Sequence, residues 1–253
     1  MTTQPAPKTQ KLEKDINYFL DNYLRPTDLE IRRLKKEAEN LIKVDAAVSY
    51  GYLGRIAVLE NNREAVISNY ENAIRFPSNN CVTHLNYSVA LANCGLNDFA
   101  LEKARENFKM FPDDKYVFHE LCDRLFCNAR FNEVSKLINA IEDSKQLQLI
   151  NHATKIFEMA NLTDSEAQHL QTLAYSVIEK NNLYYFESTI NIIDDCVCFT
   201  LYVDLPVEKI FDINWELAGI LADGVEDMRC GVLSFKYSSI DVLRERREYE
   251  RGI

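Results

Sequence analysis

Apolar positions along this chain follow a helical period for most of its length. From Lys11 to Leu24, the residues Leu12, Ile16, Phe19, Leu20 and Tyr23 fall on one helical face, and Arg25-Pro26 ends it. Thr27 predicts the cap of a second helix, with Glu30 three residues on completing a capping box. That helix carries Leu29, Leu34, Ala38, Leu41 and Ile42 on one side and Arg32, Arg33, Lys35 and Lys36 on the other. The basic run reads as a solvated face, or as a local patch for an acidic partner. Residues 11–44 are thus expected to form a helical pair. The preceding residues 1–10, MTTQPAPKTQ, lack an apolar run and a cleavage site, and are expected to form a disordered arm and no secretory signal.

The middle of the chain repeats. Gly54, Ser88 and Cys122 lie 34 residues apart and are all small. The same step relates Ala57, Leu91 and Leu125, then Asn61, Gly95 and Ala129 at the expected inter-helix turns, and then Val66, Ala100 and Val134. It also relates Tyr70, Ala104 and Ile138, while Pro77 and Pro112 follow the second helix of the first two units. Small residues at the first and fourth of these positions are expected to let two antiparallel helices of one unit pack closely, and larger residues at the others to fill the groove left by the next unit.

On these residues, Ala47 to about Gln148 resembles three degenerate tetratricopeptide repeats. The strongest matches are YLGRIAVLENNREAVISNYENAIRFP and YSVALANCGLNDFALEKARENFKMFP. The usual Trp is replaced by Tyr50, His84 and Phe118, and the third unit lacks the closing Pro. Helices over Gln146–Met159 and Asp164–Lys180, the second begun by a Thr163/Glu166 capping box, are expected to cap the array, so that the helical repeats and caps occupy residues 45–180.

Past Asn181-Asn182 the pattern changes period. LYYFESTINII and CVCFTLYVDL, separated by Asp194-Asp195, predict a β-hairpin. Pro206 starts a helix with an apolar face of Val207, Ile210, Phe211, Leu217, Ile220 and Leu221, ended by Gly224. GVLSFKY predicts a third strand, and RERREYER a mixed-charge helix or frayed end. The expected fold is therefore mostly α: a right-handed α-solenoid of tetratricopeptide-like helix pairs with a small α+β (ββαβ) unit over residues 181–253. Three strands and one helix make a thin core, so this unit is expected to pack on the repeats or on a partner, and the strand Gly231–Tyr237 is an edge open to pairing.

Composition narrows the chemistry. Seven Gly and six Pro in 253 residues suit helices and leave no phosphate-cradling loop. The net charge of −10 argues against a protein that grips nucleic-acid phosphates. No nucleotide-binding, hydrolase-elbow or zinc-protease motif is present, so no catalytic residue, cofactor or metal is expected. The stretch Ile190–Val203 is too short and too charged to span a membrane. Seven unframed cysteines fit a reducing cytoplasm. His119, Cys122 and Asp123 have a spacing a metal could use, but Cys122 already has a packing role; Cys196-x-Cys198 reads as an apolar strand face.

The resemblance implies a protein-interaction module or adaptor, binding a peptide or partner helix on the concave wall lined by the first helix of each repeat. The wall residues are expected to be Arg55 and Val58, then Asn86 and Val89, then Tyr116, His119, Asp123 and Phe126, with Val48 and Leu85 beside them. A carboxylate clamp does not fit, because Gly51, Tyr116 and Glu120 stand where its basic residues belong and Asn86 alone matches. A second reading starts from charge: residues 181–239 carry ten acidic and three basic side chains. Asp194, Asp195, Asp204, Glu208 and Asp212 would then dock a basic partner, as an antitoxin or immunity-type inhibitor does. A third reading takes the same carboxylates as a hydrolytic site.

Overall fold

In the computed structural model, which describes residues 7–76, 81–137, 144–223 and 232–251, the second helices of consecutive pairs begin at Arg63, Asn97 and Phe131, 34 residues apart. The turns before them share one geometry. Asn61, Gly95 and Ala129 have φ of 55°, 75° and 53°, the left-handed conformation that closes a helix. In the first and third turns the next residue's N–H reaches back five places, from Asn62 to the Ala57 carbonyl and from Arg130 to the Leu125 carbonyl, each at 2.9 Å. The predicted turn positions are therefore turn positions. The chain divides into two units, Met1–Cys94 and Gly95–Ile253.

The first unit holds α1 (Pro7–Asp21), α2 (Asp28–Glu39), α3 (Ala46–Leu59), α4 (Arg63–Ile74) and α5 (Cys81–Asn93). Helix α1 starts inside the arm expected over residues 1–10, because proline is at home in the first helical turn; residues 1–6 lie outside the described residues. The Thr27/Glu30 capping box forms, and Asp45 and Asn62 cap α3 and α4. Leu12, Ile16 and Phe19 of α1 meet Ile31, Leu34 and Ala38 of α2 and Ile56 and Leu59 of α3 in one core. The basic run is tied locally: Arg33 pairs with Asp15 and Glu37, and Lys35 with Glu60.

Gly54 shows why the repeat demands a small residue. A Cβ there would stand 2.6 Å from two carbons of the Tyr70 ring on α4. That ring is buried and stacked on Tyr87, with centroids 5.1 Å apart, so it has nowhere to go. Gly51, one turn earlier, faces open space. Gly54→Ala is expected to destabilise by about 1–2 kcal/mol, overpacking outweighing the gain in helix propensity. Gly51→Ala is expected to stabilise by about 0.5–1 kcal/mol. Urea midpoints of the two variants should move in opposite directions; movement in the same direction would mean that Tyr70 does not hold its place.

The second unit holds α6 (Asn97–Met110), α7 (Lys115–Cys127), α8 (Phe131–Ser135), α9 (Ser144–Ala160), α10 (Asp164–Lys180), β1 (Tyr185–Ile193), β2 (Cys196–Val203), α11 (Val207–Asp223), β3 (Leu233–Ser239) and α12 (Ile240–Arg251). Ile138 of the repeat pattern, and Gly224 and Gly231, lie outside the described residues. Strands β1 and β2 form the predicted hairpin, turning through Asp194 and Asp195 at φ of 48° and 58°. Two left-handed residues in a row are what a two-residue hairpin turn requires, and Asp tolerates them. After α11, β3 returns parallel to β2, which puts β2 in the centre of the sheet.

The sheet does not stand alone. Phe199 and Phe235 from β2 and β3 stack at 5.1 Å, and Phe199 meets Phe131 of α8, which packs on Phe157 of α9. Helix α10 contacts both α11 and β3, and the Tyr237 hydroxyl donates to the Ala174 carbonyl of α10. The helices expected to cap an array are thus the floor on which the sheet is built. Strand β3 is less open than expected: the Asn214 side chain of α11 accepts from the Tyr237 N–H at 2.7 Å and donates to its carbonyl at 3.1 Å.

Candidate functional site

The expected wall residues divide sharply by exposure. On α3, Arg55 is half-buried and its guanidinium donates to Asn17 of α1, while Val58 is 5% exposed and lines no open wall. At 100° per residue Val58 falls beside Ala47 and Gly54, on the packed side of the helix. On α5, Asn86 and Val89 are exposed, together with Val82, so that positions i, i+4 and i+7 form an outward row. On α7, Tyr116 and His119 are exposed. Phe126 is a correction: half-buried, it packs edge-on against Phe131 at 5.4 Å and lies against the core and not on an open wall. Asp123 is half-buried; burial raises the pKa of the Cys122 and Cys127 thiols, and the Asp123 charge adds to it.

The five acidic candidates do not converge. Asp194 and Asp195 are exposed at the hairpin turn, Asp195 lying 3.5 Å from His152 of α9. Asp204, Glu208 and Asp212 follow the other end of β2, a strand of eight residues and so about 25 Å long. Among the described residues no three His, Cys, Asp or Glu side chains are grouped to hold a metal. The five candidates therefore do not form one site, the hairpin turn and the α11 end lying at opposite ends of β2. His119, Cys122 and Asp123 do not share a face either, since Cys122 points into the core and His119 to solvent.

A polar cluster that the sequence reading passed over lies inside the second unit. Glu120 and Arg124 of α7 form an ion pair at 3.0 Å, with side chains only 10% and 15% exposed. One turn on, Cys127 sits close enough for the Arg124 charge to act on its thiol, and its carbonyl accepts from Gln171 of α10. The hydroxyls of Tyr175 and Tyr185 are 3.1 Å apart. Burial opposes the Arg124 charge, but Glu120 and its neighbours more than offset it and hold the pKa above the ordinary value. Burial pushes Tyr175 up to about 12, Tyr185 well above its usual range, and Cys127 upward. Near neutral pH the phenols and the thiol are therefore protonated, so none is an activated nucleophile.

The thiols give a pH prediction. Burial raises Cys94 and Cys122 from an ordinary 9.0 to about 12. A raised pKa means that the folded chain favours the protonated form, so this stabilisation is complete below pH 9 and is lost as pH climbs towards 12. The melting temperature is expected to fall above pH 9, helped by Tyr175. A disulfide reagent at pH 8 should modify Cys94 and Cys122 only as fast as the fold opens, and half-buried Cys81, Cys196 and Cys198 sooner. A flat melting profile to pH 11 would contradict the burial of these groups.

One further surface stands out. Helix α11 exposes Val207, Phe211 and Trp215, at 62%, 71% and 74% of their surface, and the two rings stack at 6.4 Å. The six-residue apolar face expected for this helix is therefore split. Val207 and Phe211 point outward, while Ile210, Leu217, Ile220 and Leu221 pack on the core with Ile213.

Comparison of the chain with protein-family models, with curated proteins and with solved structures finds no match. No described helix is long and apolar enough to cross a membrane.

Proposed function

We propose that this chain is a protein-interaction module of the tetratricopeptide type, its helix pairs stacked as a right-handed solenoid, and that it works as an adaptor. A partner's extended peptide or helix is received on the outward faces of the first helix of each pair. The row Val82, Asn86 and Val89 on α5 carries this reading. Val82 keeps half of its surface and Val89 over a third of its surface open to solvent, beside exposed Asn86, so apolar contact area is available to a partner along this helix face. The 34-residue step of the helix starts and the buried small residues Gly54, Ser88 and Cys122 support the repeat assignment. The six free cysteines of the described chain support a reducing, cytoplasmic setting.

The test is selection of displayed peptides against the full-length protein, followed by binding in low and high salt. Peptides held by apolar anchors should bind with little salt dependence and should lose at least tenfold in affinity to the Val82→Asp/Val89→Asp double variant. The helical circular dichroism of that variant should be unchanged, since both positions are exposed. Undiminished binding to the double variant would overturn the assignment.

A further inference from the structure

We infer that the outer face of α11 is a second docking surface, built for a cationic amphipathic helix of a partner protein. Around the helix, Val207, Phe211, Trp215, Ala218 and Ala222 fall within a sector of about 80°. The neighbouring sector holds Glu208, Asp212, Gly219 and Asp223. All nine of these residues are exposed, so the face is apolar along one edge and acidic along the other. Asp212 lines the same surface depression as the two rings. Among the described residues this face takes no part in the core, which the opposite side of α11 reaches.

The occupant follows from the chemistry of the two edges. Adjacent aromatic anchors beside small residues suit a helix laid along α11: Gly219 has no atom within 4 Å of where its Cβ would be, which lets a backbone come close. Glycine inside an exposed helix weakens it, and no neighbour among the described residues asks for it there. The acidic edge calls for Lys or Arg flanking the partner's apolar stripe. A second copy of α11 would bring like charges together, and an anionic membrane would be repelled by the same carboxylates. This surface is distinct from the α5 row, so either can fail alone.

Trp215 is the chain's one tryptophan and reports on its own burial. The probe is a fluorescein-labelled 18-residue Leu/Lys helical peptide added to the full-length protein, with a Leu/Glu peptide of the same apolar face and a scrambled Leu/Lys peptide as controls. The Leu/Lys helix should shift Trp215 emission to the blue and raise the anisotropy of its label, and the controls should do neither. Phe211→Ala should weaken binding at least tenfold, and Glu208→Lys/Asp212→Lys should weaken it and admit the Leu/Glu peptide. Val82→Asp/Val89→Asp should leave it unchanged. Equal binding of the scrambled peptide, no blue shift, or a concentration-dependent blue shift with dimers in sedimentation would each overturn the inference.

Discussion

Truncation of Phe131 to alanine is expected to cost about 3–5 kcal/mol and to unfold the helices and the sheet of the second unit together. The side chain is fully buried and meets three other rings, Phe126, Phe157 and Phe199, at 5.4, 5.0 and 6.4 Å. These rings come from α7, α9 and β2, so the cavity would open where three elements converge. Amide hydrogen exchange checks it: protection in β2 and in α9 should fall by the same free energy. A sheet that kept its protection while α9 lost it would show two cores where we describe one.

Arg124→Met is expected to cost a comparable amount, about 3–5 kcal/mol near neutral pH, because it leaves the Glu120 carboxylate buried without its cation. Glu120→Leu/Arg124→Met, which removes both charges, is expected to be markedly more stable than Arg124→Met alone. Chemical denaturation of wild type, both single variants and the double variant forms the cycle. A double variant as unstable as the sum of the singles would mean that the pair is not coupled.

The repeat was legible because it rests on residue size and on turn chemistry, both local. Small residues at Gly54, Ser88 and Cys122 are all buried, and the three predicted turn residues all take left-handed φ. The ββαβ order was legible for the same reason, through alternation, Asp-Asp and Pro206. What failed was anything decided by a distant neighbour. Glu120 and Arg124, four apart on a helix, look like a solvated ion pair until the fold buries both. Phe126 looked like a wall residue because helical spacing cannot say which side receives Phe131. On α11, apolar residues on two sides were counted as one face, although Phe211 and Leu217 are 600° apart along the helix, or a third of a turn (about 120°) in projection.

The position of β3 has a consequence for synthesis of the chain. The central strand β2 needs a neighbour that begins at Leu233, and Phe131 shares its core with Phe235, 104 residues later. As the chain leaves the ribosome, the first unit can close on its own core early. The core shared by helices α8 to α10 is complete only when the last strand emerges. A nascent chain stalled before Leu233 is thus a natural client for a chaperone, whereas one stalled at Cys94 already has a core to itself.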